Sequence, residues 1–228
     1  MKLTLTKRIQ ETGDAVSFIF QPESGLHWTA GQFLHYQLPH TPADDRQADR
    51  YFTIASAPHE GVIRLTTRFS NEHGSSFKRA LKDLRLGATI EAGELDGDFV
   101  VDDPARQHVF IAGGIGITPF RAILLDLEHR GQPLNATLLY SNREANFVFN
   151  SELQALTARH DEFSVHCFVS PRRIDSEAIR RHVADPRDST FLVSGPEPMV
   201  EAMGTLVKQL GVPDEHLKQD WFPNYEAE

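Results

Sequence analysis

The chain has 228 residues, 40% of them hydrophobic and 24% charged, a folded globular composition large enough for one big domain or two of roughly 100 to 130 residues. Its formal charge of -9, from 23 basic and 32 acidic residues, argues against nucleic acid as the main partner. The single cysteine, Cys167, excludes an internal disulfide or a four-thiolate iron-sulfur cluster within these residues, and the 11 histidines show no metal-ligand spacing.

Met1 to Arg8 alternates like a strand and lacks the apolar block of a signal peptide, and no apolar run approaches the roughly 20 residues of a membrane-spanning helix. A cytoplasmic protein, or one peripheral to a membrane, is therefore expected. Strand signals occupy Lys2 to Gln10, Ala15 to Gln21, Gln32 to Leu38, Arg50 to Ala55 and Val62 to Phe69, with turns at Gly13-Asp14, Pro22 to Gly25 and His59 to Gly61. Short strands at this spacing, with no helices between them, predict an antiparallel sheet closed into a small barrel. Pro39 to Asp49 is polar and reads as an exposed loop. One helix is predicted from Ser75, with serines at cap positions and Phe77 and Leu81 four residues apart. Further strands are expected at Ala88 to Glu91 and at Phe99 to Val101, separated by Gly93 and Gly97.

After Asp102-Asp103-Pro104 the pattern changes to alternating strands and helices. Strands are predicted at His108 to Ala112, Ala136 to Ser141, Phe163 to Val169 and Phe191 to Ser194. Helices are predicted at Thr118 to Arg130, Ser151 to Arg159, Ser176 to Val183 and Glu197 to Leu210. That rhythm predicts a parallel sheet covered on both faces, with the boundary near Asp103.

Three stretches carry chemistry. In Arg50-Tyr51-Phe52-Thr53, a planar guanidinium suits phosphate, an aromatic face suits a flat ring, and a hydroxyl suits the ring's edge. An ordinary strand with a surface arginine would look the same. The start of the Ser75-Ser76-Phe77-Lys78 helix joins free backbone amides to hydroxyls and a cation and so suits phosphate, although a plain capped basic helix has the same residues. Gly113-Gly114-Ile115-Gly116-Ile117-Thr118-Pro119 joins a strand to a helix, with Thr118 expected as the N-cap and Pro119 as the first helical residue. Such a turn can bring backbone amides to a dinucleotide pyrophosphate. It departs from the usual fingerprint, because Pro119 stands where a third glycine belongs and no acid ends the next strand. A glycine turn needed only for tight packing is the alternative. Ser194-Gly195-Pro196 repeats a strand-to-helix junction at the same sheet edge.

In order and spacing these motifs resemble the ferredoxin-NADP reductase superfamily. The features that carry the resemblance are Ala30-Gly31-Gln32-Phe33, Arg50 to Thr53, Gly74 to Lys78, Gly113 to Pro119, and Gly195-Pro196 with Met199. The resemblance implies an N-terminal antiparallel Greek-key β-barrel over residues 1–103 that binds FAD. It also implies a Rossmann-like parallel α/β domain over residues 104–228 that receives NADH or NADPH. Carried over by position, Arg50 meets flavin phosphate, Phe52 stacks beside the isoalloxazine with Tyr51 next to it, and Thr53 faces the reactive flavin nitrogen. Ser75, Ser76, Phe77 and Lys78 hold the FAD pyrophosphate. Gly113, Gly114, Gly116 and Thr118 line the nicotinamide dinucleotide pyrophosphate site, with Gly195, Pro196 and Ser194 near the nicotinamide. The family usually has tyrosine at Phe52 and often cysteine at Ser194.

Arg143 suits a 2'-phosphate and Glu144 a ribose diol, so the choice between NADPH and NADH stays open. Some members of the family stack a C-terminal aromatic residue on the flavin, which makes Tyr225 or Phe222 candidates; an aromatic anchor on the barrel is the alternative. The implied activity is that of an FAD-dependent NAD(P)H oxidoreductase that passes electrons to a separate acceptor. That acceptor is a ferredoxin or flavodoxin, an oxygenase or membrane redox partner, or a small molecule. A diffusible flavin or ferric reductase, and an electron-routing subunit of a larger complex, share the same motifs.

Overall fold

The structure is a computed structural model that describes residues 1–23, 25–41, 48–69 and 75–222. The chain divides into two compact units, Met1–Val100 and Val101–Glu228.

The first unit is a six-stranded antiparallel sheet of β1 (Lys2–Gln10), β2 (Ala15–Pro22), β3 (Phe33–Gln37), β4 (Asp49–Thr53), β5 (Ile63–Arg68) and β6 (Thr89–Asp96), in the order β4-β3-β6-β1-β2-β5. β4 and β5 are the two edges. They are tied just beyond β4, where the Ala55 amide donates to the Arg64 carbonyl at 2.8 Å, so the sheet forms a half-barrel. Strand alternation turns Leu3, Leu5, Phe18 and Phe20 into one core with Leu34 and Tyr36. The helix α1 (Ser76–Asp83) adds Phe77 and Leu81 to that core.

The Tyr36 hydroxyl is buried and has no hydrogen-bond partner among the described residues, and burial pushes its ionisation well above the ordinary tyrosine range. An unsatisfied buried hydroxyl costs on the order of 1–3 kcal/mol. Tyr36→Phe removes that orphan and keeps the ring edge-on to Phe52 at 5.9 Å, so it is expected to raise stability by about 1 kcal/mol in urea unfolding. A loss of stability would show that the hydroxyl has a partner in solution.

Two expectations change here. β6 does not stop at Gly93 but runs on to Asp96, and residues 99–101 lie outside the sheets. Gly93 faces His35, whose Nδ1 would be 3.2 Å from a Cβ at that position. The glycine therefore serves close packing between strands rather than a break.

The second unit is a parallel sheet of β7 (His108–Gly113), β8 (Ala136–Asn142), β9 (Phe163–Val169), β10 (Thr190–Pro196) and β11 (Leu217–Phe222), in the order β11-β10-β7-β8-β9. The helices α2 (Thr118–His129), α3 (Asn150–Thr157), α4 (Ser176–His182) and α5 (Glu197–Gln209) connect these strands. Both faces are covered. Val109 and Ile111 pack with Ile179 of α4 and Val200 of α5, while Phe110 stacks on Phe120 of α2 with ring centroids 4.8 Å apart. Accordingly β7 is buried along its whole length.

β11 was not expected. Its residues, Leu-Lys-Gln-Asp-Trp-Phe, show no strand alternation, and they become a strand only by pairing with β10 in the register Ser194 to Asp220. Gln219 to Phe222 thus belong to the second unit's sheet. Tyr225 lies outside the described residues. Among the described residues, no helix is long and apolar enough to cross a membrane.

Candidate functional site

In the first unit the site is built on the edge strand β4, whose exposure alternates. Arg50 and Phe52 share one face. Tyr51, 57% exposed, shares the other with His35, on which it stacks at 4.7 Å, and with Phe33, edge-on at 5.6 Å. Arg50, Phe52 and α1 come together through Phe77, which is fully buried. The Arg50 guanidinium lies 5.7 Å from the centre of the Phe77 ring, and Phe52 lies 5.7 Å from the same ring. Phe52 is only partly buried on that core, so its ring is held from below and keeps an outer surface. Thr53, 5% exposed, ends the strand opposite Phe33.

At the start of α1, the Ser75 hydroxyl caps the helix by accepting from the Lys78 amide at 3.3 Å. The Lys78 ammonium donates to the Arg68 carbonyl at 3.1 Å. Ser76 is buried, and its hydroxyl meets His40 Nε2 at 2.7 Å while His40 Nδ1 meets the Leu38 carbonyl at 2.7 Å. A carbonyl can only accept, so Nδ1 carries the proton and, in the neutral ring, Nε2 accepts from the Ser76 hydroxyl. His40 is absent from the sequence motifs, because only the fold brings its loop to α1. The donor chemistry of this face fits the pyrophosphate and the ring system of FAD. A guanidinium and a capped helix start suit phosphate, and a half-buried aromatic face suits the ring system.

In the second unit, β7 leads to β8 on one side and lies beside β10 on the other, which makes their carboxyl ends a topological switch point. Two junctions meet there: the 3-10 turn Gly114–Ile117 after β7, and Gly195-Pro196 at the end of β10. The glycines divide by role. A Cβ at Gly116 would overlap the Ser194 carbonyl, and one at Gly113 would overlap the Met199 sulfur. Both positions therefore lock one junction against the other. Gly114 is different: its φ is +55° and the nearest atom to a Cβ there would be Asn142 Oδ1 at 4.0 Å. It is the open, half-buried position of the turn.

Thr118 corrects the expected cap. The 3-10 turn runs straight into α2, so Ile117 is already helical, Thr118 is the first residue of the helix, and its hydroxyl donates back to the Ile115 carbonyl at 3.1 Å.

Ser194 is fully buried and donates to Asp220 Oδ2 at 3.0 Å. Asp220 carries no motif in the sequence, and only the parallel register of β11 sets it beside Ser194. Asn142, at the end of β8, accepts from the Arg143 amide at 3.0 Å and donates to Asn146. Arg143 is exposed, whereas Glu144 accepts from Asn146 at 3.4 Å.

Residues 110–205 match the oxidoreductase NAD-binding domain family. The ferredoxin reductase component of 3-ketosteroid-9-alpha-monooxygenase from Mycolicibacterium smegmatis is 26% identical over 241 residues, covering 100% of this chain and 67% of that protein. Phenoxybenzoate dioxygenase subunit beta from Ectopseudomonas oleovorans is 33% identical over 177 residues, covering 76% of this chain and 51% of that protein. The chain thus spans one half to two thirds of the length of these relatives. The flavohem-like FAD/NAD-binding domain of nitric oxide dioxygenase from Vibrio cholerae shares the fold, with a TM-score of 0.84 at 20% identity over 97% of this chain and 98% of that one. An oxidoreductase NAD-binding domain thus occupies residues 110–205 of the second unit, and the chain is similar along its whole length to a ferredoxin reductase component, in agreement with the ferredoxin-NADP reductase resemblance of its motifs.

Proposed function

We propose that this chain is a flavoprotein reductase that takes hydride from NADH or NADPH onto FAD and passes electrons to a separate acceptor. The observation that carries the reading is the pairing of two chemistries in one chain. An arginine and a capped helix start flank a half-buried aromatic ring in one unit, and an open glycine turn sits at a switch point in the other. On this reading residues 1–103 bind FAD and residues 104–228 bind the dinucleotide. Bound FAD supplies the conversion between a two-electron donor and single electrons.

The chain's own residues bind and orient. Arg50 and the amides at the start of α1 hold phosphate, with Ser75 and the His40-braced Ser76 keeping the helix start in place. Lys78 adds positive charge nearby. Phe52 offers a ring face that Phe77 and Tyr36 keep from tilting. Thr53 holds a hydrogen bond at the ring edge. The turn around Gly114, followed by Thr118, receives the dinucleotide pyrophosphate, and Arg143 lies exposed where a 2'-phosphate would reach it. Ser194 acts as a positioning residue that holds the Asp220 carboxylate at the carboxyl edge of the sheet, beside Gly195 and Pro196.

The relatives named for a monooxygenase and a dioxygenase favour an oxygenase component as the acceptor. The test is anaerobic mixing of the yellow protein with each nucleotide. At least one of NADH and NADPH is expected to bleach the flavin absorbance within seconds, and bleaching by neither ends the proposal. Colour that survives desalting separates a resident FAD from a diffusible flavin substrate.

A further inference from the structure

The open glycine turn raises a physical question about what fixes its orientation. Gly114 has no Cβ and sits at a φ of +55°, so rotation of the peptide that follows it meets little steric resistance. A phosphate site made of backbone amides works only if those amides already point at the ligand. The i→i+3 bonding of the 3-10 turn restrains that peptide from within, and a donor outside the turn that holds its carbonyl would fix its orientation further.

The geometry points to Tyr140 as the positioning residue: its hydroxyl, donated to the Gly114 carbonyl, aims the Ile115 amide at the pyrophosphate of the nicotinamide dinucleotide. Tyr140 rises from β8 beneath the turn, is fully buried, and packs edge-on to Phe147 at 4.9 Å. Its hydroxyl reaches the Gly114 carbonyl oxygen at 3.0 Å. Among the described residues the only cis peptide is Ser170-Pro171, so the Gly114-Ile115 peptide is trans. In a trans peptide the C=O and the following N–H point in opposite directions. A carbonyl drawn down onto the buried tyrosine therefore turns the Ile115 N–H up and away from it. Ile115 belongs to the first turn of a 3-10 helix, where an N–H finds no acceptor within its own helix. Gly116, pressed on the Ser194 carbonyl, secures the next residue, so the turn is held from two sides.

The inference rests on the dinucleotide reading of the second unit. The test is isothermal titration of the whole chain, wild type and Tyr140→Phe, with ADP-ribose, which carries a pyrophosphate, and with AMP, which does not. Loss of one oriented hydrogen bond is expected to weaken ADP-ribose binding about 3- to 10-fold, while AMP binding stays within about twofold. Equal losses for both ligands, or no loss for ADP-ribose, overturn the inference. A second measurement needs no variant: the backbone amide resonance of Ile115 in the wild type is expected to shift on adding ADP-ribose but not AMP, and an unmoved resonance overturns the inference. A wild type that binds no ADP-ribose removes the dinucleotide reading itself, and the inference with it, whereas normal binding by both proteins removes the inference alone.

Discussion

Arg50→Ala is expected to weaken FAD retention roughly 100-fold, because a guanidinium paired with phosphate contributes about 3 kcal/mol through charge-assisted hydrogen bonds. The variant should elute from desalting largely colourless. Two contacts could blur the result, since Arg50 also lies over Phe77 and donates to the Asp49 carbonyl. Both belong to a partly exposed side chain at a sheet edge, so the apoprotein should lose less than about 1 kcal/mol of stability. Arg50→Lys separates charge from shape. The ammonium keeps the charge but loses the planar fork, and an intermediate affinity is expected. FAD retention unchanged in Arg50→Ala would move the phosphate site away from β4 and leave α1 as its only support.

Gly116→Ala is expected to have the largest effect in the second unit. The new methyl would overlap the carbonyl of Ser194 and the amide of Gly195, which are backbone atoms of the adjacent strand β10 and cannot rotate aside. Forcing a methyl into such a contact costs about 3 kcal/mol, and relief requires the two junctions at the switch point to separate. Dinucleotide binding should fall by at least about tenfold, and thermal unfolding should move to lower temperature. Gly114→Ala provides the contrast. Its methyl has room but its φ of +55° carries a strain of about 1 kcal/mol, so stability should change little. Wild-type melting in Gly116→Ala would mean that the junctions are looser than their contact implies.

Much of this protein is legible in its residues alone. Alternation and turn chemistry locate β1, β2 and β5, and buried apolar runs framed by glycines locate β7 and β10, because local backbone preference and one-sided burial agree there. Ser75 announces α1 by the same logic, since a serine hydroxyl can satisfy a helix amide without help from elsewhere in the chain.

What the residues alone leave open depends on strand register and on which surface faces which. Leu217 to Phe222 carry no strand pattern, and they become a strand because β10 offers a free edge, which then sets Asp220 beside Ser194. Gly93 reads as a break until His35 is seen packed against it. Gly113, Gly114 and Gly116 look alike in sequence, yet two of them serve contact with β10 and α5 and only Gly114 lies open. Local composition determines where the chain can turn, cap or extend, because those choices involve residues a few positions apart. Only the tertiary structure decides which turn faces a ligand and which a neighbouring strand, because that depends on contacts between residues some 80 positions apart, such as Gly116 and Ser194.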